Sequence, residues 1–433
     1  MTMTDIKILI LYTAAYLTSC ITGRAGLSAL SSICLIGIAV FFYYTEKKRT
    51  NELINLRGLM ALGILGGEGI ARLQLSNLST VWTVSTWLSF YLFYLVFYII
   101  SGITEGFTET VFKDSRLHAL YNRKISDVNI FRFIILAVIL ISWSAFIYEA
   151  VNLKFIPLFT VDTPHAYSYF HLKGIHYFTT LAVLIPAVSV LYLEYRKKQN
   201  MKPDAVSILG IILPLLLSVL LVSRFQFMFA AILAVFAALS SGRKYRLWQS
   251  VTILVLMVAV YVVITIARAH SVEYLNGIFE MKDPKTPIFI TQPYMYIANN
   301  FDNFNLMTRQ LTVHSNGIRM LYPFLTLTGL KFINPDLAIA YPLFTTKEEL
   351  TTVTLIYDAW YDFGIAGVVL FAAVLGLITG FILHEHKRNS NPFAKLIYSE
   401  LAFYFSVSFF TTWFSNPATW FYLGFSVLFY LIY

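Results

Sequence analysis

Apolar runs of membrane-spanning length return again and again along this chain, and that limits its fold more than any motif does. A helix needs roughly 17 to 25 apolar residues to cross a bilayer. About twelve runs qualify: 6–22, 26–44, 54–71, 81–102, 129–148, 174–194, 205–223, 225–241, 248–267, 353–383, 396–413 and 417–433. Only 13% of the residues are charged, about half the share a soluble domain uses to cover its water-facing surface. The expected fold is therefore an all-α polytopic integral membrane protein, a single membrane domain over 1–433. Nine helices fill 1–267 and three fill 353–433.

Between them, residues 268–352 form one long polar segment. Pro284, Pro287, Pro293, Pro323, Pro335 and Pro342 punctuate it. Thr291 to Thr312 reads as an amphipathic helix, with Tyr294, Ile297, Phe301, Phe304, Met307 and Leu311 on one face. Asn299, Asp302, Asn303, Arg309 and Gln310 fall on the other. A shorter apolar stretch, Ile318 to Leu330, follows, so the pattern predicts a helical hairpin lying on the membrane surface. Such a hairpin is either a cap on the helices or a lid over an amphiphilic substrate.

Sidedness follows from Lys and Arg. With the N-terminus inside, inner connections receive Lys47, Lys48, Arg49, Arg57, Arg196, Lys197, Lys198, Lys387 and Arg388, among others. Short outer connections hold only Arg24, Arg72, Lys154, Lys173 and Arg224. This bias places both termini in the cytoplasm and 268–352 outside. The formal charge of +9 is accounted for by anionic lipid, not by nucleic acid. Cys20 and Cys34 lie in apolar runs and read as packing residues. No metal-ligand spacing is present and no cofactor is expected.

Several residues can carry chemistry. Arg224 sits at a turn within an apolar stretch barely long enough for two helices, where a cation binds lipid headgroups or a substrate diphosphate. Arg268 and His270 follow the ninth helix, and Arg309, His314 and Arg319 lie in or after the amphipathic helix. Arginines converging on one outer cavity would suit a diphosphate through their planar donor fork. His314, His270 and Asp302 are candidate bases for a hydroxyl proton. Asp358 and Asp362, one turn apart, bind sugar hydroxyls, pair with an arginine or start a helix. Glu68 and Arg72, four residues apart, read as a local ion pair.

In this layout the chain resembles the bacterial oligosaccharide repeat-unit polymerases, the Wzy-type O-antigen and capsule polymerases. The likeness rests on about twelve helices, the Ser223-Arg224 outer turn and one large late outer loop. Locally it rests on Tyr296 to Asn305 (YIANNFDNFN) and Tyr357 to Gly367 (YDAWYDFGIAG). The resemblance implies a GT-C-like glycosyltransferase of the bacterial cytoplasmic membrane. Its donor and acceptor would be undecaprenyl-diphosphate-linked oligosaccharides, and a flippase and a chain-length regulator would be its partners. It further implies diphosphate binding by Arg224, Arg268, Arg309 and Arg319, transfer without metal, and sugar or prenyl contacts from Tyr294, Tyr296 and Tyr322. An arginine followed by ten residues and a glycine, found in outer loops of some members, is missed by Arg309 to Gly317 and by Arg319 to Gly329. An O-antigen ligase shares the donor and differs in acceptor. A lipid-linked oligosaccharide flippase would show two related halves and charges deep in the membrane, and a non-catalytic scaffold would need neither.

Overall fold

The computed structural model describes residues 3–111, 128–160, 166–244, 272–334, 341–388 and 391–433, with Leu337 and scattered positions in 246–259. Among these the chain is helical throughout, and extended backbone pairs only at an isolated antiparallel bridge between Ser76 and Met281. In chain order the first helices are α1 (Met3–Arg24), α2 (Ser28–Thr50), α3 (Leu56–Ala61), α4 (Gly67–Ala71) and α5 (Val84–Val111), with a π-helical turn, Leu62–Gly66, joining α3 to α4. Next come α6 (Val128–Leu153), α7 (Ala166–Tyr169), α8 (Ile175–Thr180), α9 (Ile185–Lys198), α10 (Ala205–Leu220) and α11 (Arg224–Ser240). The segment 272–334 holds α12 (Val272–Phe279), α13 (Ile288–Gln310), α14 (Ile318–Leu327) and α15 (Leu330–Ile333). Last are α16 (Tyr357–Arg388), α17 (Pro392–Ser406) and α18 (Pro417–Ile432).

Among the described residues six helices are long and apolar enough to cross a membrane: Asp5–Arg24, Ser28–Thr50, Val84–Val111, Val128–Leu153, Ile175–Lys198 and Tyr357–Arg388. Six of the expected spans thus reach full length. Runs 205–223 and 225–241 give shorter helices, α10 and α11, and 54–71 is broken by the π turn. Most of 248–267 lies outside the described residues. The long helices leave large apolar side chains uncovered, among them Ile21 (67% exposed), Leu140 (68%) and Leu370 (61%). In water such faces would be a liability, and in lipid they are the expected surface.

Two compact units divide the chain. The first comprises residues 1–120, 272–388 and 404–420. Here α5 and α16 run side by side in the same direction, as successive neighbours Phe93–Phe371, Phe97–Gly376 and Ser101–Gly380 indicate. Gly376 and Gly380 stand four residues apart, and a Cβ on Gly380 would come within 2.6 Å of the Thr104 Cβ and 2.7 Å of the Ser101 carbonyl. Small residues at this spacing let two membrane helices approach backbone to backbone. At the far end of this pair Glu105 accepts from Arg57 (2.7 Å), Lys387 (2.6 Å) and Arg49 (3.3 Å). Arg57, on α3, is only 2% exposed, so this cation, expected from the sequence in an inner connection, is a buried partner of Glu105.

The second unit comprises residues 121–271, 389–403 and 421–433. Phe131 stacks on Tyr192 and Phe393 at centroid distances of 5.3 and 5.2 Å. Asp204 caps α10 by accepting from the Ser207 N–H, and also binds Arg132, Arg196 and Tyr192. Burial opposes its charge, but these donors outweigh it and hold its carboxyl down at about 2.

Candidate functional site

The described part of 268–352 is built around α13, and the structure corrects the expected surface-lying amphipathic helix. Both its faces are buried, the polar residues Asn299, Asn300, Asp302, Asn303 and Asn305 included. An amide side chain offers two donors and an acceptor, so a row of asparagines can satisfy irregular backbone that no helix supports. Asn303 donates to the carbonyls of Leu350 (2.8 Å) and Thr352 (2.9 Å) and accepts from the Thr346 N–H (2.8 Å). Asn305 accepts from the Thr83 N–H (2.8 Å) and donates to the Val81 carbonyl (3.1 Å). Asn300 donates to the Phe409 carbonyl (2.8 Å). Helix α13 is therefore the spine that holds these irregular stretches.

Asp302, a candidate base from sequence, serves this spine. Its Oδ1 accepts from the Thr80 N–H (2.9 Å), the Thr80 hydroxyl (2.7 Å) and the Trp82 indole (3.1 Å). Burial pushes its carboxyl from the ordinary 3.8 up to about 6, against the pull of those donors and of Arg72. The folded state thus holds this proton more tightly than the unfolded chain, so the contribution of Asp302 to stability is fully present below pH 4 and is lost as pH rises through about 6. The linked change is on the order of 3 kcal/mol. Asp302→Asn should flatten that slope, checked by thermal unfolding in detergent between pH 4 and 7.

The residues that do come together lie on a turn, His314 to Arg319, clamped onto the start of α16. Asp362, fully buried, accepts from the Ser315 hydroxyl (2.5 Å) and from the N–H groups of Arg319 (3.2 Å) and Met320 (2.9 Å), so it caps α14 from across the chain. The N–H groups of Ser315 and Asn316 reach the carbonyls of Tyr361 and Asp362, each at 3.3 Å. Those carbonyls are free because α16 breaks at Phe363 and Gly364, where Gly364 adopts φ 59°, ψ −142°. Few residues but glycine adopt this backbone. Gly364→Ala should cost about 1–3 kcal/mol, read as a fall in Tm. The Cβ itself would meet only ordinary contacts, 3.5 Å from the His314 Cε1.

Arg319 lies against this break. Its Nε donates to Asp358 at 2.5 Å, and its guanidinium carbon sits 4.4 Å from the Tyr361 ring centroid. These contacts fix the fork by one edge and one face, and among the described residues neither Nη has a protein acceptor. Beside it opens a cavity of about 250 Å³, lined by Ile318, Arg319, Tyr322, Tyr341, Asp358 and Ser415. Lys331 donates to the Tyr322 hydroxyl at 3.1 Å and holds that phenol below its usual range. His314 places Nδ1 3.0 Å from the Tyr361 carbonyl. A carbonyl only accepts, so Nδ1 carries the hydrogen, and in the neutral imidazole the lone pair is then on Nε2.

Of the residues singled out from sequence, His314, Arg319, Tyr322, Asp358 and Asp362 meet here. Arg309 is exposed on the last turn of α13. The Tyr294 hydroxyl accepts from the Leu75 N–H, and Tyr296 packs on Phe410. Arg224 stands at the first position of α11 in the second unit, after its N-cap Ser223. Arg268 and His270 lie outside the described residues. Arg319 is paired with a carboxylate. Glu68 and Arg72 do not pair either: Glu68 meets the Tyr16 hydroxyl at 2.7 Å, and Arg72 donates to the Gly23 carbonyl at 3.1 Å.

Sequence reasoning missed Tyr341 and Ser415, which lie in no motif and reach the turn only through folding, and gave no role to Tyr361 within Tyr357–Gly367. It also missed Glu149, a buried carboxylate that accepts from Thr179 (2.6 Å) and the Leu172 N–H (3.0 Å) and meets His176 Nδ1 (3.1 Å). Among the described residues no three His, Cys, Asp or Glu side chains converge as a metal ion would need. Compared with protein-family models, with curated proteins and with solved structures, the chain matches none.

Proposed function

We propose that this protein is a membrane glycosyltransferase that polymerises undecaprenyl-diphosphate-linked repeat units at the outer face of a bacterial cytoplasmic membrane. One observation carries the reading: a neutral Arg319–Asp358 pair stands beside an aromatic-walled cleft, next to a histidine with an open Nε2, where a long apolar helix begins. Helix α16 spans 32 residues, more than the roughly 20 a bilayer needs. Its basic last turn, His386 to Arg388, and its acidic first turns mark opposite ends, which sets the cleft at a water boundary.

Pairing changes what the cleft suits. The charges of Arg319 and Asp358 cancel, so a diphosphate gains little from the arginine that it does not lose to the carboxylate. A sugar fits better. Each hydroxyl is both donor and acceptor, so neighbouring hydroxyls can accept from Arg319 Nη and donate to Asp358, with a ring face against Tyr322 or Tyr341. We assign this cleft to sugar and not to the prenyl diphosphate.

In the proposed reaction the acceptor hydroxyl attacks the anomeric carbon of the donor and a C–O bond forms. The bond from that carbon to the diphosphate oxygen breaks, and undecaprenyl diphosphate leaves with the electron pair. His314 Nε2 takes the hydroxyl proton, and one displacement inverts the anomeric centre. Purified protein incubated with a lipid-linked repeat unit should yield a ladder of longer lipid-linked glycans. Transfer only to a different acceptor would make it a ligase. Translocation of an unchanged unit would make it a flippase and end the polymerase reading.

A further inference from the structure

Glu68 is fully buried, on α4 directly after the π turn, and the cleft chemistry makes no use of it. Its Oε2 lies 2.7 Å from the Tyr16 hydroxyl, which lies 2.9 Å from the Trp87 carbonyl. Tyr16 is itself only 2% exposed. A hydroxyl owns one hydrogen and a carbonyl has none to give. If Tyr16 donates to Trp87, the hydrogen between Tyr16 and Glu68 must come from the carboxyl. The second oxygen, Oε1, is buried with no partner. A carboxylate with one oxygen bare in an apolar interior would be very costly, whereas the carbonyl oxygen of a neutral acid tolerates it.

Among the described residues no cation forms an ion pair with Glu68. Arg72 lies between the rings of Trp82 (5.1 Å) and Trp87 (5.5 Å) and donates to the Gly23 carbonyl. The other titratable groups facing the pair are Tyr12 and Cys20 from α1 and Tyr91 from α5, with Asp302 and Tyr294 of α13 beyond Arg72. All of these are neutral or negative when they ionise, so none draws the proton off Glu68.

From this geometry we propose that Glu68 and Tyr16 form a proton-binding site inside the helix group, loaded at neutral pH. The proton sits on Glu68 Oε2 and is donated to the Tyr16 oxygen, which in turn donates to Trp87. Gly67, the next residue, lies so close to the Phe301 ring of α13 that a Cβ would approach within 2.8 Å. The proton thereby keeps α4 seated on the α13 spine. Its loss would put an unpaired charge beside that contact, at a π turn, a feature frequent at functional positions.

Infrared difference spectroscopy of wild type minus Glu68→Gln at pH 7 tests this. The expected result is a protonated-carboxyl C=O band that shifts in heavy water, with unchanged Tm for the variant, because the glutamine amide can still donate to Tyr16. Carboxylate bands in place of that acid band would overturn the proposal. If Glu68→Gln fails to fold, Tyr16→Phe decides: removal of the hydrogen-bond acceptor should raise the frequency of the same band, and an unmoved acid region would refute the site.

Discussion

Arg319→Ala is expected to abolish chain elongation while leaving the membrane helices inserted. Two losses act together. The first is chemical: the sugar would lose the donor fork that the neutral pair presents, and removal of one well-aimed donor at a reacting centre typically costs about 10²–10³ in rate. The second is structural: Asp358, 5% exposed, would be stranded as a buried unpaired charge, at about 3–5 kcal/mol. Arg319→Lys separates the two. A lysine keeps the charge opposite Asp358 but has no planar fork to lie on Tyr361 or to reach two hydroxyls at once. Its Tm should stay near wild type while elongation, followed as ladder length in the purified assay, still falls at least about 100-fold. Wild-type elongation by the lysine variant would remove Arg319 from the site.

Asn303→Leu should give the largest loss of stability among single changes on α13. The substitution strips donors from the Leu350 and Thr352 carbonyls and the acceptor from the Thr346 N–H, all in a buried stretch. Each orphaned group costs about 1–3 kcal/mol, so a total of roughly 3–5 kcal/mol is expected after partial relaxation. Asn303→Asp is the sharper comparison. It keeps the acceptor for Thr346 but turns a carboxylate oxygen toward two carbonyls, so it should be no better than leucine. Arg309→Ala, an exposed change on the same helix, should stay within about 0.5 kcal/mol. Thermal unfolding of the three variants in one detergent gives the comparison, and a mild Asn303→Asp would show that α13 is not the spine.

The pattern 291–312 was legible as a helix because its apolar residues recur at helical spacing, and α13 indeed covers Ile288–Gln310. What periodicity hid was the meaning of its polar face. Asparagine and aspartate are read as water-facing by composition, yet here they turn toward the irregular stretches 76–83 and 344–352, whose backbone needs partners. Likewise, the sequence spacing of Asp358 and Asp362 put two carboxylates on one helical face but did not assign their tasks. Asp362 caps α14 and Asp358 pairs with Arg319, because the turn 314–319 folds back across 39 to 47 positions onto them.

Sequence alone determined that the chain is helical and made for a membrane, because a bilayer admits little else than runs of apolar residues able to satisfy their own backbone. It also singled out His314, Arg319, Tyr322, Asp358 and Asp362 by residue type. Tertiary structure decided that these five meet while Arg309 does not, that Arg319 is neutralised by Asp358, and that Glu68 turns to Tyr16 instead of Arg72. Those outcomes depend on distances between residues far apart in the chain, and hydrogen-bond partners a few ångströms away set a charged group's role more firmly than its place in the sequence.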